Sequence, residues 1–372
     1  MSDLIRLSQS CVGVEEKQAI CEVLDEGYLG MGKQVQMFEK ELENFFSNKV
    51  KVACVNTGTS ALQLALQACG IGMGDEVLIP SITYLASFQA TSATGAIPIS
   101  CDISMKTGCL DIEDARCKIT KKTKAIMYVH YASGLGDREA LFLLAKQYNL
   151  RVIEDAAHSF GGYDSEHRVG AVGDLFCFSF DGIKNITCGE GGAIVSSDEI
   201  AIQKICDLRL LGVLKDTERR YSGQRSWEFQ VEDQGWRYHM SNINAAIGRV
   251  QLKKLDNFAK KRRKLANLYV SQLSDFPVIP INTEFDTIVP HIFPVIVSDH
   301  HRDSLKSFLL ENKIETGIHY KPNHLLKKYR SMDCPRSENF GENVLSLPLH
   351  VNLKENDIEK ITSLIKKYYK IF

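Results

Sequence analysis

Arg151-Val-Ile-Glu-Asp-Ala-Ala-His158, Leu175-Phe-Cys-Phe-Ser-Phe180 and Gly182-Ile-Lys-Asn-Ile-Thr-Cys-Gly-Glu-Gly-Gly192, closing on Ala193-Ile-Val-Ser-Ser-Asp198, occupy the middle of a 372-residue chain. Residues 151–154 are too few for a helix and rich in branched side chains, so they read as a buried strand whose carboxyl end delivers Asp155 and His158. In an open α/β sheet, ligands bind outside that edge. Residues 175–180 read as a second strand ending near Ser179. Lys184 follows in a loop that also holds Gly182, Gly189, Gly191 and Gly192. A carboxylate, a hydroxyl and an amine therefore converge on one rim.

That set has the chemistry pyridoxal phosphate requires: an amine to bond its aldehyde, a carboxylate to keep the pyridine nitrogen protonated, and donors for its phosphate. Lys184, Asp155 and Ser179 are the candidates, in that order. Taken singly, each also fits a surface or capping residue. The glycine-rich setting between strands distinguishes Lys184, because a solvated lysine does not need it.

Glu154-Asp-Ala-Ala-His158, Phe178-Ser-Phe180 and Lys184-Asn-Ile-Thr-x-Gly-Glu-Gly-Gly192 resemble the DegT/DnrJ/StrS family of nucleotide-sugar aminotransferases, and the likeness extends over nearly the whole chain. The resemblance implies an α/β, fold-type I pyridoxal-phosphate-dependent aminotransferase of the aspartate aminotransferase kind. It would have a large, mostly parallel-sheet cofactor domain (residues 1–250) and a small C-terminal α/β domain (251–372).

Composition agrees with a folded enzyme and excludes other classes. The hydrophobic content of 44% suffices for a large core. Lys+Arg 45 against Asp+Glu 46 leaves no global field for nucleic acid. The basic run Lys260-Lys-Arg-Arg-Lys264 falls in a helical pattern and reads as a solvated face. Eleven scattered cysteines without a Cys-x-x-Cys pair suit a reduced, cytoplasmic protein. No apolar run is long enough for a membrane span, and the ten histidines show no metal-ligand spacing. No Gly-x-Gly-x-x-Gly follows the first strand and no Gly-Lys-Ser or Gly-Lys-Thr occurs, so the dinucleotide and P-loop readings lose their main support.

Along the chain, helices are expected over residues 14–26 and 35–46, separated by Gly27-Tyr-Leu-Gly-Met-Gly32. A strand at 52–55 leads into Asn56-Thr-Gly-Thr-Ser60 and a helix over 61–69. Such a helix start can hold an anion or be a plain cap made by Thr59 or Ser60. The family resemblance assigns the phosphate to Gly58 and Thr59. Strands at 75–80, 97–101 and 125–130 alternate with helices opening at 81–86 and covering 112–119 and 138–148, the pattern of parallel βαβ units. Tyr84, just past a strand end, is by resemblance the aromatic that stacks on the cofactor. Residues 215–234 read as a long loop bordering the active site or a partner subunit. Ser241 or Asn242 caps a long helix. Beyond Pro280, strands at 291–297 and 314–320 and helices at 301–312 and 355–369 build the smaller domain.

The resemblance also assigns His158 to the ring's hydroxyl side and His319 and Tyr320 to the sugar pocket. Arg237 goes to the partner subunit's cofactor phosphate, in a homodimer with shared active sites. Arg237 stands where the family commonly has Asn, and Ser133-Gly-Leu-Gly-Asp137 departs from the usual loop. Glutamate is the implied amino donor and a nucleotide-linked keto sugar the acceptor, with ping-pong kinetics. Tyr238-x-Met-Ser-Asn-Ile-x-Ala-Ala-Ile-Gly248 is closer to relatives that aminate C4 of a 4-keto-6-deoxyhexose, with dTDP ahead of GDP and UDP; C3 is the alternative. The product would enter O-antigen or another surface glycan. Two other readings are a sugar dehydratase on the same scaffold, in which histidine typically replaces the lysine, and a non-catalytic protein that has kept the fold.

Overall fold

A seven-stranded sheet and a three-stranded sheet organise the chain. The structure is a computed structural model and describes residues 4–47, 49–224, 227–298, 300–331 and 333–371. Helices α1 (Val14–Glu26) and α2 (Lys33–Phe45) come first. Strands and helices then alternate: β1 (Lys51–Val55), α3 (Gly58–Ala68), β2 (Glu76–Pro80), α4 (Leu85–Ala93), β3 (Ile97–Cys101), α5 (Ile112–Lys118), β4 (Thr123–Val129), α6 (Arg138–Tyr148) and β5 (Arg151–Asp155). A two-stranded ribbon, β6 (Tyr163–Asp164) and β7 (His167–Arg168), leads to β8 (Leu175–Ser179), β9 (Gly192–Ser196), α7 (Glu199–Leu208) and α8 (Asp216–Tyr221). The long helix α9 (Asn242–Leu273) then reaches β10 (Val278–Pro280), β11 (Phe293–Val297), α10 (Arg302–Glu311), α11 (Pro335–Asn343), β12 (Val344–Leu347) and α12 (Glu355–Ile371).

The large sheet has the order β1-β9-β8-β5-β4-β2-β3. Helical crossovers make β2, β3, β4 and β5 parallel, and β8 joins them in parallel after the β6–β7 ribbon, without a helix. No helix lies between β8 and β9, so the chain turns back and β9 runs antiparallel to both β8 and β1. Asp155 and Ser179 thus end neighbouring parallel strands, and Lys184 lies in the reversal beside them.

Apolar residues of α3 and α7, such as Leu64, Ala65 and Ile205, cover one face of this sheet. Phe38, Phe46, Phe160, Phe178 and Leu255 cover the other. Helix α9 serves two cores, because its later residues Leu265, Tyr269 and Leu273 join Phe293, Leu345 and Ile361 around the small sheet.

Several local expectations change. Helix α3 is capped by Thr57, whose Oγ1 accepts from the Ser60 N–H at 3.0 Å, and not by Thr59 or Ser60. Gly58 and Thr59 consequently fall in the first helical turn. Residues 81–86 do not all open α4, which begins at Leu85. The stretch 314–320 is not a strand: it makes isolated bridges, from Ile314 to Ile5 and from Gly317 to Ser346. Strand β11 begins at Phe293, leaving His291 in the loop before it. Strands β6, β7, β10 and β12 and helix α11 were not anticipated. Arg262, within the basic run read as a solvated face, is buried.

The polar stretch 215–234 contains helix α8, and its Tyr221 explains why it is anchored. The Tyr221 hydroxyl donates to Glu39 of α2. Arg209 is wholly buried, pairs with Glu39 Oε1 at 2.5 Å, and donates to Cys54 O at 2.7 Å. Glu39 also accepts from the Cys54 N–H at 2.8 Å, so one buried ion pair joins α2, β1 and the end of α7. Removing one partner strands the other charge in the interior. Glu39→Ala is therefore expected to lose about 3 to 5 kcal/mol of stability, read as a lower urea midpoint, with Glu39→Gln losing less because it keeps an acceptor.

Candidate active site

A cavity of about 440 Å³ opens at the carboxyl ends of β5 and β8. Gly58, Thr59, Tyr84, Asp155, His158, Ser179, Lys184, His319 and Tyr320 all line it. Arg237 does not: it is exposed, and its backbone pairs with Leu210. None of the described residues of 215–234 lines it either, so the expectation that this stretch borders the chain's own site does not hold.

One wall is the start of α3. A helix of this length leaves its first N–H groups without internal acceptors, and here they face an edge kept open by glycine. A Cβ at position 58 would stand 2.8 Å from Ser179 Cβ and 3.1 Å from its Oγ. Glycine alone allows the helix start and the Ser179 hydroxyl to approach this closely, and the result is a cradle suited to a phosphate.

Asp155 forms the floor. It is buried, with Ser87 Oγ donating to Oδ2 at 2.9 Å and the Ala157 N–H to Oδ1 at 3.3 Å. Burial nevertheless pushes its carboxyl up from the usual range. Its neighbour Glu154 points to the opposite face of β5, as strand alternation requires. There Glu154 lies 2.9 Å from His130 Nε2 and takes two bonds from Arg138, at 2.7 and 2.9 Å. Burial would raise the Glu154 carboxyl, but the bonds from His130 and Arg138 outweigh it and hold it low.

Lys184 is half-buried and forms no ion pair among the described residues. Burial lowers its amine to about 8, against the attraction of Asp155 and Asp181. Nζ lies 3.4 Å from His291 Nε2. His158 is pushed well below the usual histidine range by burial and then by the Lys184 charge. Its Nε2 lies 3.1 Å from the Tyr320 hydroxyl, and its buried Nδ1 has no partner among the described residues. The same two causes bring His319 to about 4, and its Nδ1 lies 2.8 Å from Ser346 Oγ. Tyr84 is 63% exposed at the mouth with its ring centroid 5.9 Å from that of Tyr320, so its ring is accessible to a ligand.

Sequence reasoning missed Ser87, which holds Asp155, and His291, which meets Lys184. Ser87 carries a weak signal, since it lies in the first turn of the helix that Tyr84 precedes. His291 carries none: it lies 107 residues from Lys184 and reads as the start of a strand.

The sequence matches the DegT/DnrJ/EryC1/StrS aminotransferase family over residues 10–366. It is 33% identical to the spore coat polysaccharide biosynthesis protein SpsC of Bacillus subtilis (strain 168), over 96% of this chain and 95% of that one. Among solved structures it is similar to S. venezuelae DesV in complex with a ketimine intermediate, at 34% identity and a TM-score of 0.86, covering 95% of this chain and 94% of that one. It is likewise similar to the PLP-form of Spr1654 of Streptococcus pneumoniae, at 26% identity and a TM-score of 0.89, covering 98% of this chain and 99% of that one. With this match along nearly its whole length and the α/β architecture of fold-type I enzymes, the chain belongs to the DegT/DnrJ/EryC1/StrS aminotransferase family.

Proposed function

We propose that the chain is a pyridoxal-phosphate-dependent aminotransferase that moves the amino group of L-glutamate to C4 of a nucleotide-linked 4-keto-6-deoxyhexose, with dTDP-4-keto-6-deoxyglucose the first choice. The observation that carries this reading is one cavity holding an amine without a salt-bridge partner among the described residues, a buried carboxylate, and a glycine-opened helix start. The preference for C4 rests on Tyr238-x-Met-Ser-Asn-Ile-x-Ala-Ala-Ile-Gly248. The polysaccharide named for SpsC supports a surface glycan as destination. A homodimer, with Arg237 reaching the partner's cofactor phosphate, would give that exposed side chain its place. The reducing cytoplasm, where nucleotide sugars are made, is the proposed setting.

The cofactor fits the donor set and, when bound, supplies an aldehyde that carries the amino group and a ring that draws electrons from the carbon losing its proton. The first-turn N–H groups of Gly58 and Thr59 and the hydroxyl of Ser179 would hold its phosphate. Asp155 would hold the proton on its ring nitrogen, and that cation in turn offsets the burial of the carboxylate. Tyr84 would lie against the ring face, and His158 Nδ1, which has no partner among the described residues, would bond the ring hydroxyl. An amine titrating near 8 is suited to taking a proton from one carbon and returning it to another, the task assigned to Lys184 Nζ. His319 and Tyr320 would face the sugar.

An absorbance spectrum tests the reading. The purified chain is expected to show a visible cofactor band that L-glutamate bleaches and dTDP-4-keto-6-deoxyglucose restores, with Lys184→Ala lacking the band and the activity. Recovery with GDP- or UDP-linked sugars instead, or NMR of a product aminated at C3, would redirect the substrate assignment. No band after addition of pyridoxal phosphate would overturn the reading. Gly58→Val should drive Ser179 aside and weaken cofactor binding at least about tenfold, measured by fluorescence titration.

Lys184 also ties stability to pH. Its amine titrates near 8 in the fold against about 10.5 in an unfolded chain. The unfolded state therefore binds more protons between these values, and the cofactor-free protein gains stability as pH rises through that window. Lys184→Met removes the buried charge. Below pH 8 the variant should be more stable than wild type by at most about 3 kcal/mol, a difference that fades toward pH 10.5 in urea unfolding.

A further inference from the structure

We propose that His291 is a positioning residue for the Lys184 amine: its neutral Nε2 accepts a hydrogen bond from Nζ and fixes where the amine stands whenever it is not bonded to the cofactor. This rests on the aminotransferase reading above. Nothing in that reading uses His291, yet its Nε2 is 3.4 Å from Nζ and its ring lines the cavity.

The loop that carries His291 is held on every side. Its N–H donates to Ser133 Oγ at 3.1 Å, and that oxygen lies 2.5 Å from His158 O and 2.9 Å from Val289 O. Asn185, next to Lys184, donates to Val289 O at 3.0 Å, so the amine's own loop is tied to the histidine's. Arg262 is buried without an ion pair among the described residues, and its guanidinium donates to Pro290 O, His291 O and Leu349 O at 3.3, 3.1 and 3.2 Å. An unpaired buried guanidinium is costly, and here its effect is to clamp the two residues that aim this imidazole.

Charge explains why the acceptor is a histidine. A carboxylate at this distance would hold Lys184 as a fixed ammonium, unable to take up a proton near neutral pH. An imidazole accepts from either form of the amine without such a pull. Burial, then the charge of Lys184 with His158, Arg262 and His319 around it, keeps His291 well below the usual histidine range and so neutral; in the tautomer proposed, Nδ1, which has no partner among the described residues, carries the proton and Nε2 accepts. The groups acting on Lys184 itself are Asp155 and Asp181, which favour its charge.

The test titrates Lys184 in the full-length protein loaded with pyridoxamine phosphate, in which the amine is free. Lysine labelled with 13C and 15N at the ε position gives the signal, identified by its loss in Lys184→Arg. His291→Phe should lower the Lys184 titration by about one unit, since the ammonium loses an acceptor. The same change should cut kcat about 10- to 100-fold while leaving KM for the keto sugar within about twofold. His291→Gln, which retains an acceptor, should recover most of both. A titration that is unchanged or raised in His291→Phe overturns the proposal. So does a Gln variant no better than Phe at equal Tm and cofactor content. Failure of the aminotransferase reading is separate: it would appear as wild-type protein that takes up neither pyridoxal phosphate nor pyridoxamine phosphate and aminates no keto sugar, whatever the His291 variants do.

Discussion

The reversal between β8 and β9 is the constraint on which the site depends. A helical crossover there, like those after β2, β3 and β4, would have kept the next strand parallel and carried the lysine away from the rim. Without one, Ser179 pairs with Gly192, and the intervening loop keeps Lys184 above the end of β5. The pairing is tight: a Cβ at position 192 would come 2.5 Å from Thr57 O, so glycine is what lets α3 begin against both strands. A single close approach thus brings together the helix start, the Ser179 hydroxyl and the lysine loop.

The molecule treats its buried charges in two ways. Arg209 is met by Glu39, and Glu154 by Arg138 and His130, so each is compensated and serves to join elements. Lys184 and Asp155 instead face the cavity without an ion pair among the described residues, the histidines beside them being held uncharged by burial and by the lysine itself. Burial lowers the amine and raises the carboxyl, and a cationic aromatic ring with an aldehyde would relieve both. The uncompensated pair is what separates a reactive site from a structural salt bridge.

The small sheet contributes by being clasped to the large one. Asn323 Nδ2 donates to Ser81 O and Thr83 O at 3.1 and 2.7 Å, and His324 Nδ1 lies 2.7 Å from Ser81 Oγ. This fastens the segment after Tyr320 to the turn before Tyr84, so the two tyrosines share the mouth and Tyr320 meets His158. Tyr131 adds a bond from its hydroxyl to His319 O.

Apolar runs alternating with helical periods made the order of the seven large-sheet strands and the helices between them readable, because burial on both faces of a parallel sheet leaves short apolar stretches such as Val-Ile and Phe-Cys-Phe just before the polar strand ends. Those runs also told which residues end strands, and with them Asp155, Ser179 and Lys184 as one set. The cap at Thr57 was misread by two or three residues because neighbouring Thr and Ser side chains offer the same oxygen, and only backbone geometry selects among them. Residues 314–320 alternate like a strand, but their partners are Ile5 and Ser346, remote positions that local pattern does not encode. His291 and Arg262 were unreadable for the same reason: one is a loop residue and the other lies in a basic run, and their roles arise only when Lys184, Ser133 and Leu349 are folded around them. Local sequence determined the strands, the helix starts and the chemistry they present. Tertiary structure decided which distant side chains surround the lysine, because those contacts depend on chain reversal and packing between two sheets and not on any periodicity along the chain.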